Sequence, residues 1–180
     1  MKKLWILAAA LIALQSPSQA LINLSANYAM ESPNTDAGLG LEAEFATPMF
    51  SIGAGYLSRD FNSDVSLPDV AVDGITETYT YLLYNIPGSE LSPIRPFLGA
   101  GYTLRILHDN ENSLATINTY YETSDSMFYV AGVHFGVPLS PLTASLMYRM
   151  ESADISDITD DTTQNLDLNA ILFRVSYAIL

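Results

Sequence analysis

Charged side chains are rare in this chain, and the few that interrupt its apolar segments are the first candidates for chemistry. Only 15% of the 180 residues are charged, whereas 49% are hydrophobic. Five charged residues lie within alternating apolar segments: Glu42, Glu44, Arg105, Arg149 and Arg174. In a shared interior with little water, such carboxylates and guanidiniums must pair, because an isolated buried charge is strongly destabilising. We therefore predict that these five side chains form an interior ion-pair network.

The two histidines are the next residues with catalytic potential. His134 has Gly136, and no hydroxyl nucleophile, two positions later, and the local alternation places it on the same face as the glycines. His108 stands beside Asp109 at the end of an apolar segment. The chain has no cysteine, so disulfides and thiolate chemistry are excluded. We predict no catalytic residue, no cofactor and no enzymatic activity.

Aspartates in the segment 154–161 are candidates for binding calcium, which takes oxygen ligands. The segment nevertheless lacks the ligand spacing and the glycine of an EF-hand loop. We predict a solvated acidic loop and no metal site at this place.

These charged residues lie within a set of eight segments in which apolar residues recur at every second position. The segment 95–107 is the clearest example. Its apolar series is Leu98, Ala100, Tyr102, Leu104 and Ile106, and its second series is Phe97, Gly99, Gly101, Thr103 and Arg105. A β-strand places two such series on opposite faces. The pattern predicts eight strands, of which the fourth, 74–86, alternates too weakly for its faces to be assigned.

The connections between the predicted strands alternate in length. The segments 31–37, 60–73, 109–125 and 152–163 are long and polar, whereas 47–48, 87–93 and 138–141 are short. A meander with all its long loops at one end is typical of an up-and-down membrane barrel. Fifteen of the twenty acidic residues fall at that end: Glu31, Asp36, Asp60, Asp64, Asp69, Asp73, Asp109, Glu111, Glu122, Asp125, Glu151, Asp154, Asp157, Asp160 and Asp161.

Residues 1–20 have the composition of an export signal. Lys2 and Lys3 precede the apolar stretch 4–14, and Ser18-Gln19-Ala20 provides the small residues of a cleavage site. Residues 21–180 then hold five arginines, no lysine and twenty acids, a formal net charge of −15. This charge argues against nucleic acid as a partner. We predict a cleaved signal peptide, 1–20, and one barrel domain, 21–180.

The octapeptide Arg95-Pro96-Phe97-Leu98-Gly99-Ala100-Gly101-Tyr102 resembles a strand that recurs in small outer membrane barrels. These are the OmpA-like transmembrane domain, OmpX and opacity-protein types. The predicted signal peptide, strand number and loop alternation extend the resemblance to the whole chain. It implies an all-β, eight-stranded antiparallel up-and-down transmembrane β-barrel in the bacterial outer membrane. It also implies insertion by the outer membrane assembly machinery.

In such a barrel the apolar faces point to lipid, and the faces with glycine and charge point inward. Five tyrosines fall on the outward series, as lipid-facing girdle residues do: Tyr28, Tyr56, Tyr102, Tyr148 and Tyr177. The inward glycines are expected to make room for the paired charges. The expected partners are outer membrane lipids and lipopolysaccharide, which divalent cations would bridge to the acidic loops, and the expected state is a monomer.

The sequence favours a structural or surface-interaction role and leaves three alternatives open. A lipid-modifying enzyme would need a lipid-facing cluster of hydroxyl, histidine and acid. A narrow channel for ions or small solutes would need an open interior, whereas eight strands leave an interior that side chains fill. A secreted, lipocalin-like barrel would turn the apolar faces inward.

Overall fold

The computed structural model describes residues 21–62, 65, 72–86, 94–108, 120–136 and 140–179. The predicted signal peptide and the end of the chain, Leu180, lie outside these ranges. The strands in chain order are β1 (Leu21–Ala29), β2 (Gly38–Ala46), β3 (Phe50–Asp60), β4 (Gly74–Asn85), β5 (Ile94–His108), β6 (Tyr121–Thr123), β7 (Ser126–Gly136), β8 (Leu142–Met150), β9 (Ser152–Asp157), β10 (Thr162–Asp167) and β11 (Ala170–Ile179). None of the described residues belongs to a helix long and apolar enough to cross a membrane.

Eight strands form one closed antiparallel barrel in the order β1-β2-β3-β4-β5-β7-β8-β11. The ring closes between the first and last strands, where Leu24 pairs with Tyr177 and Asn27 with Arg174. Each strand pairs with the next barrel strand along the chain, which is the up-and-down topology. Closure leaves no barrel strand with an unpaired edge. The predicted eight-stranded antiparallel up-and-down barrel is confirmed.

The outside of the barrel is apolar over most of its height. Its exposed side chains include Leu39, Leu41, Ile52, Leu98, Leu104, Ile106, Phe173 and Val175. The alternate residues of the same strands are buried inside, as the burial pattern of β11 illustrates. Exposing this many large apolar residues to water would be costly, so the surface requires an apolar surrounding such as lipid. The lipocalin-like alternative, with apolar faces inward, is therefore wrong.

The structure assigns the faces of β4, which the sequence left open. Tyr79, Tyr81 and Leu83 are buried inside the barrel, whereas Thr80 and Leu82 face outward. The cause lies on the neighbouring strand β3, where Gly53 and Gly55 provide the room that the tyrosine rings occupy.

The acidic segment 152–163 is not a loop, and that prediction is wrong. It contains β9 and the start of β10, which form a three-stranded sheet with β6. This lid sheet (β6, β9 and β10) has an apolar inner face that packs on the upper barrel. The packed residues are Ile75, Leu107, Tyr121, Ala153, Ile155, Leu166 and Leu168. A short alternation of apolar and acidic residues builds the sheet, because only one face of the hairpin needs to be apolar.

The two ends of the barrel differ. At the turn end, the β2–β3 connection is tight: Thr47 donates its hydroxyl to the carbonyl of Phe50 at 2.7 Å, and its hydroxyl oxygen accepts the Phe50 N–H at 3.0 Å. At the loop end, the lid sheet rises above the ring of strands. Of the short turns, 87–93 and part of 138–141 lie outside the described residues.

Candidate functional site

The lower charged cluster lies inside the turn half of the barrel and centres on one arginine. Arg174 on β11 forms ion pairs with Glu42 and Glu44 on β2, the latter at 3.1 Å. The three side chains meet because β1 lies between these strands and carries only small or amide side chains inward, such as Ser25 and Asn27. The lower cluster therefore holds two carboxylates against one guanidinium.

Neutral donors complete the lower cluster. Tyr81 Oη donates to Glu42 Oε1 at 2.7 Å, and Tyr79 Oη donates to Glu42 Oε2 at 3.1 Å. Asn27 Nδ2 donates to Glu42 Oε2 at 2.9 Å. Asn23 Nδ2 donates to Glu44 Oε1 at 3.0 Å. These hydrogen bonds compensate the second buried negative charge, which a single arginine leaves incompletely neutralised.

The upper cluster lies in the loop half and centres on one glutamate. Glu77 on β4 is fully buried and faces three guanidiniums, those of Arg59 at 2.8 Å, Arg105 at 3.3 Å and Arg149 at 3.5 Å. A second carboxylate, Glu151, forms ion pairs with Arg105 and with Arg149, the latter at 2.5 Å. The upper cluster therefore holds three guanidiniums against two carboxylates.

Backbone and hydroxyl groups hold the arginines of the upper cluster in place. Arg59 Nη1 donates to the carbonyl of Leu168 at 3.1 Å, and Arg105 Nη1 donates to the carbonyl of Ser124 at 2.9 Å. Arg149 Nη2 donates to Thr103 Oγ1 at 2.8 Å. Two of these acceptors lie at the base of the lid sheet. The upper cluster therefore ties the lid sheet to the barrel wall.

The two clusters together contain four arginines and four glutamates, so their charges are formally balanced. The guanidinium of Arg149, a member of the upper cluster, lies 4.2 Å from the ring centroid of Phe128 and 5.0 Å from that of Tyr79. Tyr79 in turn donates to Glu42 of the lower cluster. A cation–π contact and a hydrogen bond thus connect the two clusters through one aromatic side chain.

The structure places all five predicted interior charges inside the barrel, but in two separate clusters. Arg59 and Glu77 were not predicted from the sequence as interior charges. Glu151 was counted among the acids of the long-loop end, whereas the structure buries it in the upper cluster. Arg59 belongs to the inward series of β3. The predicted alternation ended at the outward-facing Tyr56, and extending it by three residues would have found Arg59. Glu77 is on β4, whose faces could not be assigned from the sequence.

Several inward glycines make room for aromatic rings, whereas the sequence-based expectation was room for the paired charges; Gly55 also adjoins a charged residue of the lower cluster, Glu42. A Cβ atom at Gly53 would collide with the ring of Tyr81, and one at Gly101 would collide with the ring of Phe128. The rings and their apolar neighbours fill the middle of the barrel: Leu57, Tyr79, Tyr81, Leu83, Phe97, Phe128, Val130 and Leu172.

Two small cavities lie in the described interior. One of about 20 Å³ lies between the clusters, beside Phe128 and Met147. A second, of about 60 Å³, lies at the turn end beside Arg95 and His134. A buried water occupies about 10–15 Å³ on this measure, so the inner cavity holds about one water. Side chains therefore fill the cross-section of the barrel at the level of the clusters.

His134 is buried inside the barrel. Its Nδ1 lies 2.8 Å from Ser145 Oγ, and its ring stacks on Phe97 with the centroids 4.2 Å apart. Both members of this serine–histidine pair are buried, and Ser145 has no exposed surface. The geometry identifies a packed interior histidine whose hydroxyl partner no lipid can reach.

His108 lies outside, at the loop-end rim, and it contacts Asp60; Asp109, which follows it in sequence, lies outside the described residues. Its Nε2 is 3.5 Å from Asp60 Oδ1, and its Nδ1 is 3.3 Å from Thr76 Oγ1. This order of carboxylate, imidazole and hydroxyl resembles a catalytic array. Thr76, however, is paired in register with both Ser58 and Ile106, so the ladder takes up the backbone N–H groups that could stabilise an oxyanion.

The aspartates of the segment 154–161 have structural partners. Asp157 Oδ1 accepts the N–H groups of Thr159 at 2.7 Å and Asp160 at 3.2 Å, which fixes the β9–β10 turn. Asp154 Oδ1 accepts from Asn165 Nδ2 at 2.7 Å across the hairpin. Within the described residues, no group of three acidic or histidine side chains is arranged to hold a metal ion.

The five outward tyrosines all lie on the exposed surface of the barrel. Tyr28 and Tyr148 are in its loop half, and Tyr177 is near the turn end, where it pairs with Leu142, the first residue of β8. Outward tyrosines near both ends of the apolar surface fit the positions of a membrane girdle.

A closed eight-stranded barrel with an apolar outside and a side-chain-filled, charged inside defines the class of small outer membrane β-barrels. No protein-family model and no curated protein sequence matches the chain. Several solved structures do match its fold. Neisserial surface protein A has a TM-score of 0.57 and 15% identity, over 88% of this chain and 96% of that one.

Two further similar structures are from Pseudomonas aeruginosa. The outer membrane protein OprG has a TM-score of 0.52 and 12% identity, over 89% of this chain and 96% of that one. The N-terminal β-barrel domain of OprF has a TM-score of 0.52 and 11% identity, over 89% and 98%. This chain therefore has the fold of small eight-stranded outer membrane barrels.

Proposed function

We propose that the chain is an integral protein of a bacterial outer membrane, exported by its N-terminal segment, with a structural or surface-interaction role and no enzymatic activity. The observation that carries this proposal is the contrast between the two sides of the barrel wall. The outside presents apolar side chains to its surroundings, and the inside is filled by two charged clusters and the aromatic rings between them. A wall of this kind crosses a bilayer without opening a path through it.

In this orientation the loop end is extracellular and the turn end faces the periplasm, as in other outer membrane barrels. The lid sheet then projects outward with an acidic surface. Its exposed residues include Glu122, Asp160 and Asp161. Because residues 21–180 have no lysine and four of their five arginines are buried in the clusters, the outer surface offers carboxylates, amides and hydroxyls to partners.

The expected partners follow from this surface. Outer membrane lipids and lipopolysaccharide contact the apolar wall, and the assembly machinery inserts the barrel as a monomer. A pore function is disfavoured by the filled cross-section. A lipid-modifying function is disfavoured at His108 because the neighbouring backbone N–H groups are already paired, and at Ser145 because it is buried.

We expect the purified protein to show no conductance steps in planar lipid bilayers at physiological salt. The physical reason is that aromatic and apolar side chains are packed across the described interior, next to cavities of only about 20 and 60 Å³. A general porin inserted under the same conditions is the positive control. Stable, reproducible steps of one amplitude from this protein would contradict the closed interior.

We expect the protein to remain in the membrane fraction after carbonate extraction and to change its gel mobility on boiling. Closed barrels keep a compact shape in detergent until heat unfolds them, because every barrel strand is paired on both sides. Samples run unheated and boiled on one gel test this. A carbonate-soluble protein with a single mobility would overturn the membrane placement.

A further inference from the structure

A groove of about 380 Å³ opens on the outside of the barrel, where β7 and β8 meet the lid sheet. Its lower part is apolar and consists of Met127, Tyr129 and Met150, which are 59%, 57% and 43% exposed. Its upper part is polar and is formed by Ser152, Asn165, Asp167 and Asn169. This rim groove falls in the size range of ligand pockets, about 300–1,000 Å³.

The course of the chain creates the rim groove. The barrel pairing of β7 with β8 reaches its upper end at Tyr129 and Met150. Two residues later β9 begins and pairs with β10 instead, so that Ser152 lies opposite Asp167. The polar outer face of the hairpin thus stands directly above the apolar outer face of the barrel, and the groove follows this boundary.

We propose that the rim groove binds a glycolipid of the outer leaflet. An acyl chain lies on Met127, Tyr129 and Met150, which are continuous with the lipid-facing surface. The sugar head group lies against the polar residues of the lid sheet, where its hydroxyls donate to Asp167 and exchange hydrogen bonds with the amides. This inference rests on the proposed function, because it requires the barrel to lie in a membrane.

The charges around the rim groove select a sugar over a phosphate. The groove is lined by Asp167, by Glu151, whose carboxylate is buried in ion pairs with Arg105 and Arg149, and by no arginine or lysine. Four arginines of residues 21–180 are held in the interior clusters, and the fifth, Arg95, lines the cavity at the opposite, turn end. A phosphate head group would meet a negative charge without a cation, whereas hydroxyls meet an ionised acceptor, to which hydrogen bonds are the stronger kind.

The polar residues of the rim groove are held in position before any ligand arrives. Asp167 Oδ1 accepts the N–H of Asn169 at 3.0 Å, and Asn169 Oδ1 accepts the N–H of Glu151 at 2.8 Å. The N–H of Asp167 is itself bound by Asn34 Oδ1 at 2.6 Å. These contacts use one oxygen of each side chain, and the second carboxylate oxygen of Asp167 and the Asn169 amide group are left for a ligand. A site whose side chains are fixed loses less entropy on binding.

The methionines provide a direct test. Carbon-13 methyl labels report on Met127 and Met150 in the groove, on Met30 and Met49 at other exposed places, and on Met147 inside. The protein is placed in phosphatidylcholine nanodiscs and titrated with glucosyl-diacylglycerol, with phosphatidylglycerol and with free glucose. We expect only glucosyl-diacylglycerol to shift Met127 and Met150, and to leave Met30 and Met49 unshifted.

The variant Asp167→Asn should weaken this titration about tenfold, since it removes the ionised acceptor but retains an oxygen for Asn169. Asp160→Asn, at the exposed β9–β10 turn, is the matched control and should leave the titration unchanged. Equal shifts with phosphatidylglycerol, equal shifts at Met30, or an unchanged titration in Asp167→Asn would overturn the proposal.

A lipid with a spin label on its acyl chain separates failure of this inference from failure of the proposed function. In a membrane, the label should broaden Met30, Met127 and Met150 more than the interior Met147. Absence of that broadening would contradict the membrane placement itself. Broadening without a selective response to glucosyl-diacylglycerol would leave the membrane placement standing and reject the glycolipid site.

Discussion

Replacing Arg174 with methionine is expected to lower the free energy of unfolding by about 3–5 kcal/mol, the usual cost of removing one partner from a buried ion pair. Arg174 is the only guanidinium in contact with both Glu42 and Glu44 among the described residues. Without it, two buried carboxylates face each other with only neutral donors. Urea unfolding in lipid vesicles, or the temperature at which gel mobility changes, measures the loss.

Two further variants show whether charge pairing is the cause. Arg95→Met removes another arginine near the turn end that forms no ion pair within the described residues, and it should cost much less. Combining Arg174→Met with Glu42→Gln and Glu44→Gln should recover most of the lost stability, because neutral side chains of similar volume then replace the whole cluster. An Arg174→Met barrel as stable as the parent would refute the lower cluster as a stabilising element.

The variant Glu77→Gln is expected to produce a loss of similar size, about 3–5 kcal/mol, in the loop half of the barrel. Glu77 is fully buried and is the only carboxylate within ion-pair distance of Arg59 among the described residues. Its neutralisation leaves three guanidiniums with Glu151 as the one remaining carboxylate. The same unfolding assays apply, and Glu122→Gln, on the exposed surface of β6, is the matched control with no expected effect.

Loss of Glu77 should also loosen the lid sheet. Arg59 and Arg105 connect the cluster to the carbonyls of Leu168 and Ser124, and repulsion among the arginines would weaken both hydrogen bonds. Limited proteolysis between β9 and β10 should therefore become faster in Glu77→Gln than in Glu122→Gln. The pair Glu77→Gln with Arg59→Met should restore part of the stability, because the charge of the upper cluster returns to its original value, but not the protection, because the Leu168 carbonyl loses its donor. Identical digestion of all variants would show that the upper cluster does not stabilise the lid sheet.

The alternation of apolar and polar residues correctly predicted which face of a strand points outward wherever the two faces differ in polarity. In β5 the series from Leu98 to Ile106 faces outward, and Thr103 and Arg105 face inward, as the period of two predicts. In β4 both series contain side chains that suit either side of the wall, since tyrosine and threonine occur in barrel interiors and at lipid boundaries. Its orientation was decided by Gly53 and Gly55 on the neighbouring strand, which a reading along one segment does not reveal.

The lid sheet was missed for a related reason. Its apolar residues are few, with Ala153 and Ile155 on β9 and Leu166 on β10, and aspartates stand between them. A solvated loop accounts for such a composition equally well. Only the contact with Ile75 and Leu107 at the top of the barrel makes the hairpin a packed element, and this contact joins segments far apart in the chain.

By itself, the sequence determined the number of barrel strands, their up-and-down order, the outward apolar faces and five of the charges inside, because each depends on local periodicity and loop length. The tertiary structure alone decided how those charges pair. Arg174 reaches Glu42 across 132 positions of sequence, and this contact exists only because β11 closes the ring against β1. It also decided that aromatic rings fill the space left by the glycines and that the acidic segment folds over the barrel. Register and closure are properties of the whole ring, so no single strand encodes them.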